Sequence, residues 1–372
     1  MSERDYILQV KDLKTAFKVG RRTVHAVNGV TFDVQRGKTL CIVGESGCGK
    51  SVTAHSVMQL LPPNGYIAGG SVEYYPQADQ CQVLSEYKKN GREIRQIRGK
   101  EISMIFQDPM STLNHVYTVG SQIMEMLNSH EKVSKKDGRE RIIKLLADLG
   151  IPNPEIRYDQ YPHEFSGGMK QRIMIAIAMI CNPTILIADE PTTALDVTIQ
   201  AQILELIQKM QREYGTSVIL ITHNMGIVAE IADDVAVMYM GRVVEFGSVK
   251  QIFTNPTHPY TKALMRSVPV LGMDRDQELA TIEGSTPDAA TVFNGCEFAG
   301  RCEFATEACF NRFPVDTVVE DGHRVRCLIY EENTADTQRD ENDAEETKDE
   351  GKRKIVGHRS SDYGIPKPAP PV

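Results

Sequence analysis

The chain has 372 residues, 41% hydrophobic and 25% charged, with 42 basic and 50 acidic side chains and eight cysteines. Such a balance fits a folded protein of two or three domains with an ample core, and it argues against a nucleic-acid-binding surface. No apolar run approaches the roughly 18 to 20 residues needed to cross a bilayer, and the start lacks a secretory apolar region, so a membrane role is expected to come through a partner.

The net charge of −8 is unevenly placed: residues 331–350 alone carry −8, the last 22 carry +4, and residues 1–330 carry only −4. Residues 6–34 alternate apolar and polar positions around Gly20-Arg21-Arg22, which predicts antiparallel strands joined by a hairpin. Phe17 in this segment is placed either to stack on a nucleobase or to serve as a core or rim phenylalanine. Residues 38–43 predict a strand and 50–61 a helix that Pro62-Pro63-Asn64-Gly65 stops. A further strand, Ile102 to Phe106, ends at Gln107. Residues 115–182 read as mainly helical, and the run Ile173 to Ile180 is too continuous for a surface helix, so it should be buried. Two apolar runs follow, 184–188 and 217–222, joined by a helix over 199–214. Apolar strands with a helical crossover predict a buried parallel sheet. Such sheets place ligand sites at the carboxyl ends of their strands, here Asp189-Glu190 and His223. Short strands return near 241–246, and Asn255 to Tyr260 marks a break. Beyond 284 the composition shifts, and the last segment reads as a small appended domain followed by a tail that cannot bury enough apolar area to order itself.

Gly44-Glu45-Ser46-Gly47-Cys48-Gly49-Lys50-Ser51 lies between the first predicted apolar strand and its helix, the context a phosphate-binding P-loop requires. Glycines let successive backbone N–H groups turn toward a phosphate, and the helix from Lys50 through Val52 presents its positive end to the same anion. Lys50 is expected to neutralise the β- and γ-phosphates of a nucleotide, and Ser51 to ligate Mg²⁺. The strand ending Asp189-Glu190-Pro191 resembles a Walker B strand. Asp189 is expected to hold Mg²⁺, directly or through water, and Glu190 to orient the attacking water or accept its proton.

Beside these, Phe165-Ser166-Gly167-Gly168-Met169 is similar to the signature motif of ABC ATPases, Gln107 to their Q-loop, Ala194-Leu195-Asp196 to the D-loop and His223 to the switch histidine. These motifs follow the family's order and cover about residues 5–265. The resemblance implies a RecA-like parallel sheet with an antiparallel β subdomain and a helical signature subdomain at about 115–182, in a nucleotide-binding domain over 1–265. It implies that Ser166, Gly167 and Gly168 complete the ATP site of an opposing subunit, and that Gln107 also approaches Mg²⁺. Gln107 to Asn114, Asn255 to Tyr260 and the C-terminal cysteines look like the oligopeptide/dipeptide importer branch, which includes nickel importers and extends the resemblance to about 330. Its implied partners are a homologous ATPase subunit, two membrane permeases and an extracytoplasmic substrate-binding protein, with this chain peripheral on the cytoplasmic face of the cell membrane. His115 and Met169 depart from the branch and family patterns. A soluble ABC ATPase acting on nucleic acid or ribosomes is the contrasting class, and it predicts a long coiled-coil insertion or tandem ATPase halves.

Cys296, Cys302, Cys309 and Cys327, spaced C-x5-C-x6-C-x17-C in the extension 266–330, suit a soft metal centre when no secretion signal points to disulfides. The wide spacing favours a [4Fe–4S] cluster, which the branch is known to carry, over Zn²⁺ or no metal. Arg301 and Arg326, each beside a cysteine, are expected to offset the charge of such a group. Residues 331–372 are expected to be a disordered charged tail.

Overall fold

Five buried residues, Thr39–Val43, form the strand that leads into the P-loop, and their alternation decides the layering of the protein. Cys41 and Val43 face one hydrophobic core while Leu40 and Ile42 face another. A strand buried on both faces must be covered on both. The computed structural model describes residues 6–108, 112–193, 195–267, 282–288 and 290–331. Residues 332–372, where a disordered tail is expected, lie outside them, and the described residues to Tyr330 form one compact unit.

In chain order the strands are β1 (Tyr6–Val19), β2 (Arg22–Gln35), β3 (Thr39–Val43), β4 (Gly65–Gln77), β5 (Gln80–Val83), β6 (Ile102–Ile105), β7 (Ile185–Asp189), β8 (Ser217–Thr222), β9 (Asp234–Tyr239), β10 (Arg242–Ser248), β11 (Thr317–Glu320) and β12 (His323–Val325). The main helices are α1 (Lys50–Val57), α2 (Arg92–Ile97), α3 (Val119–His130), α4 (Lys135–Asp148), α5 (Gly167–Met179), α6 (Val197–Tyr214), α7 (Met225–Ile231), α8 (Val249–Thr254), α9 (Pro259–Arg266) and α10 (Glu307–Asn311).

The larger sheet runs β11-β12-β10-β9-β3-β8-β7-β6. Its pairs β9·β3, β3·β8, β8·β7 and β7·β6 are parallel, so the carboxyl ends of β3, β8, β7 and β6 stand side by side. The smaller sheet, β2-β1-β4-β5, is antiparallel, with the expected hairpin at Gly20 pairing Val19 with Arg22. One core fills the space between the two sheets around α1; the other packs α3 to α6 on the opposite face. Ile173, Ile175 and Ala176 of α5 are fully buried, as the apolar run predicts.

The C-terminal segment does not stand apart as an appended domain. Its hairpin β11–β12 joins the edge of the main sheet, with Glu245 opposite Val325 and Phe246 opposite Arg324. A buried pair pins it there: His323 Nε2 lies 2.8 Å from Glu245 Oε1, and both side chains are fully shielded from solvent. The backbone N–H groups of Thr257 and His258 donate to the same carboxylate at 2.7 and 2.9 Å. Burial alone would raise the Glu245 carboxyl, but the hydrogen bond from His323 and those from the threonines hold it below the usual range.

Candidate nucleotide site

Glycine is required at two turns of the P-loop. Gly44 has φ +153°, and a Cβ there would sit 2.1 Å from the Met238 carbonyl oxygen of β9. Gly49 has φ +100°, and its Cβ would meet the Ala26 carbonyl at 2.5 Å. The loop therefore nests between β9 and β2 with no room for side chains. Lys50, at the start of α1, is 5% exposed and donates from Nζ to the carbonyls of Gly44 at 2.8 Å and Glu45 at 3.0 Å. Its ammonium thus rests inside the loop that its own backbone closes.

From the end of β7, Asp189 reaches the same helix start: the Ser51 hydroxyl donates to Asp189 Oδ1 at 2.9 Å. Burial pushes the Asp189 carboxyl above its usual range despite that bond. Glu190 follows with φ +45°, a left-handed conformation uncommon outside glycine, and its N–H donates to the Ile221 carbonyl of β8 at 3.0 Å. Gln107 Nε2 and Thr193 Oγ1 each donate to Glu190 Oε2 at 3.0 Å. His223 Nδ1 stands 3.5 Å from the other oxygen, Oε1. Three strand ends, those of β6, β7 and β8, so converge on one carboxylate.

Lys50, Ser51, Gln107 and Glu190 border a cavity of about 470 Å³ that Ser46, Gly47, Gly49 and Val52 also line, while His223 lies outside its lining. His25 and Ala26 of β2 and Val292, Phe293 and Phe313 of the C-terminal segment supply much of its remaining wall. Those C-terminal residues carry no sequence signal that links them to the P-loop. Phe17 is not part of the lining; its ring edge packs on Gly65. Asp189 touches the cavity through Ser51, while Gly44, Glu45 and Cys48 form the back of the loop.

The signature residues lie elsewhere on the molecule. Ser166 and Gly167 are exposed at the start of α5, where Ser166 Oγ accepts the Met169 N–H at 3.4 Å. A Cβ on Gly168 would meet Ile199 of α6 at 2.8 Å, which ties this helix start to the one after Asp196. Asp196, exposed, caps α6 by accepting the Ile199 N–H at 3.0 Å. Of the other motif residues, Pro109 to Ser111 and Ala194 fall outside the described residues.

The four C-terminal thiols share one neighbourhood. The Cys296 N–H donates to the Cys309 carbonyl at 2.7 Å, and Cys327 acts electrostatically with Cys302 and Cys309. Burial pushes Cys296 and Cys327 up, to about 12 and about 11. The donor set suits a soft metal, but among the described residues no group of three or more His, Cys, Asp or Glu side chains is disposed to hold one. Nor does Arg301 serve as its counter-charge: its guanidinium pairs instead with Glu45 of the P-loop, with Nη1 2.6 Å from Oε2. Arg326 Nη2 donates to the Pro314 carbonyl at 2.9 Å.

Two family models match the chain, one described as ABC transporter over residues 27–193 and one as the oligopeptide/dipeptide transporter C-terminal region over residues 244–309. The dipeptide transport ATP-binding protein DppD of Bacillus subtilis is 50% identical over 327 residues, spanning 88% of this chain and 95% of the relative. The oligopeptide transport ATP-binding protein OppD of the same organism is 49% identical over 324 residues, spanning 87% and 88%. Among solved structures, cbiO1 from Clostridium perfringens, part of an ABC transporter complex, matches with TM-score 0.56 at 29% identity over 68% of this chain and 92% of that one. The dimeric ATP-binding cassette MJ0796 with ADP and Pi matches in fold, with TM-score 0.57 at 24% identity over 65% and 98%.

Proposed function

This chain belongs to the ABC transporter ATP-binding proteins of the oligopeptide/dipeptide branch, and from that premise we propose that it hydrolyses ATP to energise import of di- or oligopeptides through membrane partners. The observation that carries the site assignment is the Ser51–Asp189 hydrogen bond at 2.9 Å, which joins the P-loop to the end of β7 as a shared cation site would need. Backbone N–H groups of Ser46 to Ser51 would hold the β- and γ-phosphates, with Lys50 turning from its loop carbonyls to the anion. Ser51, Asp189 and Gln107 would hold Mg²⁺, which supplies charge neutralisation on the phosphate oxygens. Glu190 would orient water and take its proton, with His223 and Gln107 fixing the carboxylate and sensing the γ-phosphate. Phe17, whose ring edge packs on Gly65, would leave a ring face to stack on the base.

Ser166, Gly167, Gly168 and Asp196 would act in trans, completing the ATP site of a homologous ATPase subunit. The exposure of Ser166, Gly167 and Asp196, away from this chain's own cavity, supports that role. ATP bound between two such surfaces shifts the pair toward the closed state, and hydrolysis removes the differential contacts that favour it. Two permeases and an extracytoplasmic binding protein would complete the importer, with this chain on the cytoplasmic membrane face. Val116 and Tyr117, 74% and 57% exposed just after the Gln107 segment, are a suitable apolar contact for a permease. No helix among the described residues is long and apolar enough to cross a membrane.

Cys296, Cys302, Cys309 and Cys327 would hold a [4Fe–4S] cluster, or Zn²⁺, once the thiols deprotonate onto metal. A soft centre there would fasten the three segments that carry the cysteines. Iron and acid-labile sulfide assays on anaerobically purified protein test this separately, with about four irons per chain expected and one zinc as the competing result. The function is tested by reconstituting the chain with candidate permeases and a second ATPase subunit in vesicles. Peptide-stimulated ATP hydrolysis with uptake is expected; nickel uptake without peptide uptake would replace the assignment.

A further inference from the structure

Glu45 is the second residue of the P-loop, where a negative charge sits beside the anion that the loop is shaped to hold. The charge is answered from 256 positions away, by Arg301. Arg301 Nη1 donates to Glu45 Oε2 at 2.6 Å and Nη2 to Oε1 at 3.0 Å, a two-point grip, and Thr286 Oγ1 donates to Oε2 at 2.9 Å. The Arg301 side chain is 7% exposed. Its Nε donates to the Glu283 carbonyl at 3.0 Å and Nη1 to the Tyr239 hydroxyl at 3.4 Å, while the guanidinium lies about 6 Å from the Tyr239 and Phe298 ring centres. The other end of Glu45 is held as well. Its backbone N–H donates to the Tyr260 hydroxyl at 2.9 Å, and the Tyr260 ring packs on Tyr239 and Phe298 at 4.8 and 5.4 Å.

Lys50 makes this grip consequential. Its ammonium already donates to the Glu45 carbonyl, and it acts electrostatically on the Glu45 carboxylate. A carboxylate released from Arg301 would compete with phosphate for Lys50 and would repel the triphosphate directly. We propose that Arg301 is a positioning residue for the nucleotide site: it holds the Glu45 carboxylate behind the P-loop, away from Lys50 and the phosphates. Nucleotide affinity thereby depends on a C-terminal arginine that is not itself part of the cavity lining. This rests on the assignment of the cavity as an ATP site.

The test is MgATP binding to the full chain by titration calorimetry, for wild type, R301A, R301K, E45Q and the double variant R301A/E45Q, with a thermal melt of each. R301A should weaken binding by about 10- to 100-fold, because the freed carboxylate competes with phosphate for Lys50. R301K should be intermediate, because a single ammonium restores the charge but not the fork. R301A/E45Q should recover to within roughly threefold of E45Q, since no stray carboxylate remains. Should R301A not fold, R301K against R301K/E45Q decides the matter in the same way. Binding by R301A within about twofold of wild type, or a double variant as weak as the single one, overturns the proposal. Absence of MgATP binding by the wild type would instead overturn the assignment of the cavity.

Discussion

Ser51 and Asp189, 138 residues apart in the chain, meet through a hydroxyl that donates to a buried carboxylate. Burial raises the Asp189 carboxyl, so the oxygen pair gains most from a cation placed beside it. Asp189→Asn should therefore raise the Mg²⁺ concentration needed for tight ATP binding by at least about tenfold, while metal-free ATP binding stays close to wild type. Titrating nucleotide in EDTA and across a magnesium series checks it; an unchanged magnesium dependence would remove Asp189 from the cation site.

Glu190 receives hydrogen bonds from Gln107 and Thr193 on one oxygen and faces His223 with the other. Replacing it with glutamine keeps the shape and removes the base. Turnover should fall by roughly 10²- to 10⁴-fold, with MgATP affinity kept within a few-fold. Single-turnover hydrolysis beside equilibrium binding separates the two, and a Glu190→Gln enzyme of near wild-type turnover would require another base.

Ser166 caps α5 on a surface remote from its own cavity. Ser166→Asn retains a capping oxygen but crowds the exposed helix start. ATP binding by the isolated chain should hold, whereas ATP-driven association with the second ATPase subunit should weaken by about tenfold or more. Sedimentation of the Glu190→Gln background with ATP reads this out; equal association in both would place the opposing site elsewhere.

His258 is fully buried and caps α9 by accepting the Tyr260 N–H on Nδ1 at 3.0 Å. Burial lowers its pKa to about 4, so the folded protein keeps it neutral. Between the unfolded value near 6.5 and that lower value the unfolded chain binds the extra proton, so stability is full above about pH 6.5 and declines as pH falls toward 4. Moving from pH 7.5 to 5 should cost roughly 2 kcal/mol through this group. His258→Asn preserves a cap and should flatten the slope in urea unfolding. An identical slope in the variant would assign the loss to other histidines.

What could be read from the sequence was whatever repeats within a few residues. The strand, glycine loop and helix around Lys50 follow from neighbouring residues, as does the apolar run that carries Asp189 to the carboxyl end of its strand. That these strands form a parallel sheet followed from the helical crossover between two apolar runs, but the side-by-side order of β6, β7, β8 and β3 is set by long-range pairing and had no local signal. Phe17 was ambiguous between a ring platform and a rim residue, since alternation places it on a face without saying what lies opposite. Here Gly65 lies opposite. The union of Arg301 with Glu45 had no local signal; beside Cys302 the arginine read as a counter-ion for sulfur. Likewise the three residues of β12 are too short to register as a strand, and it is the burial of Glu245 with His323 that fixes them.

The hairpin on β10 also decides where this protein can be cut. With β12 paired to Glu245 and Phe246, and the Arg326 N–H donating to the Val244 carbonyl, the middle of β10 is covered on that side. A shortened chain ending near residue 267 would keep every phosphate-loop and carboxylate motif, yet it would strip β10 bare and leave Glu245 without its histidine. An uncovered strand rich in valine is a template for another copy. Truncates of this kind should therefore be judged by their solubility before their turnover is compared.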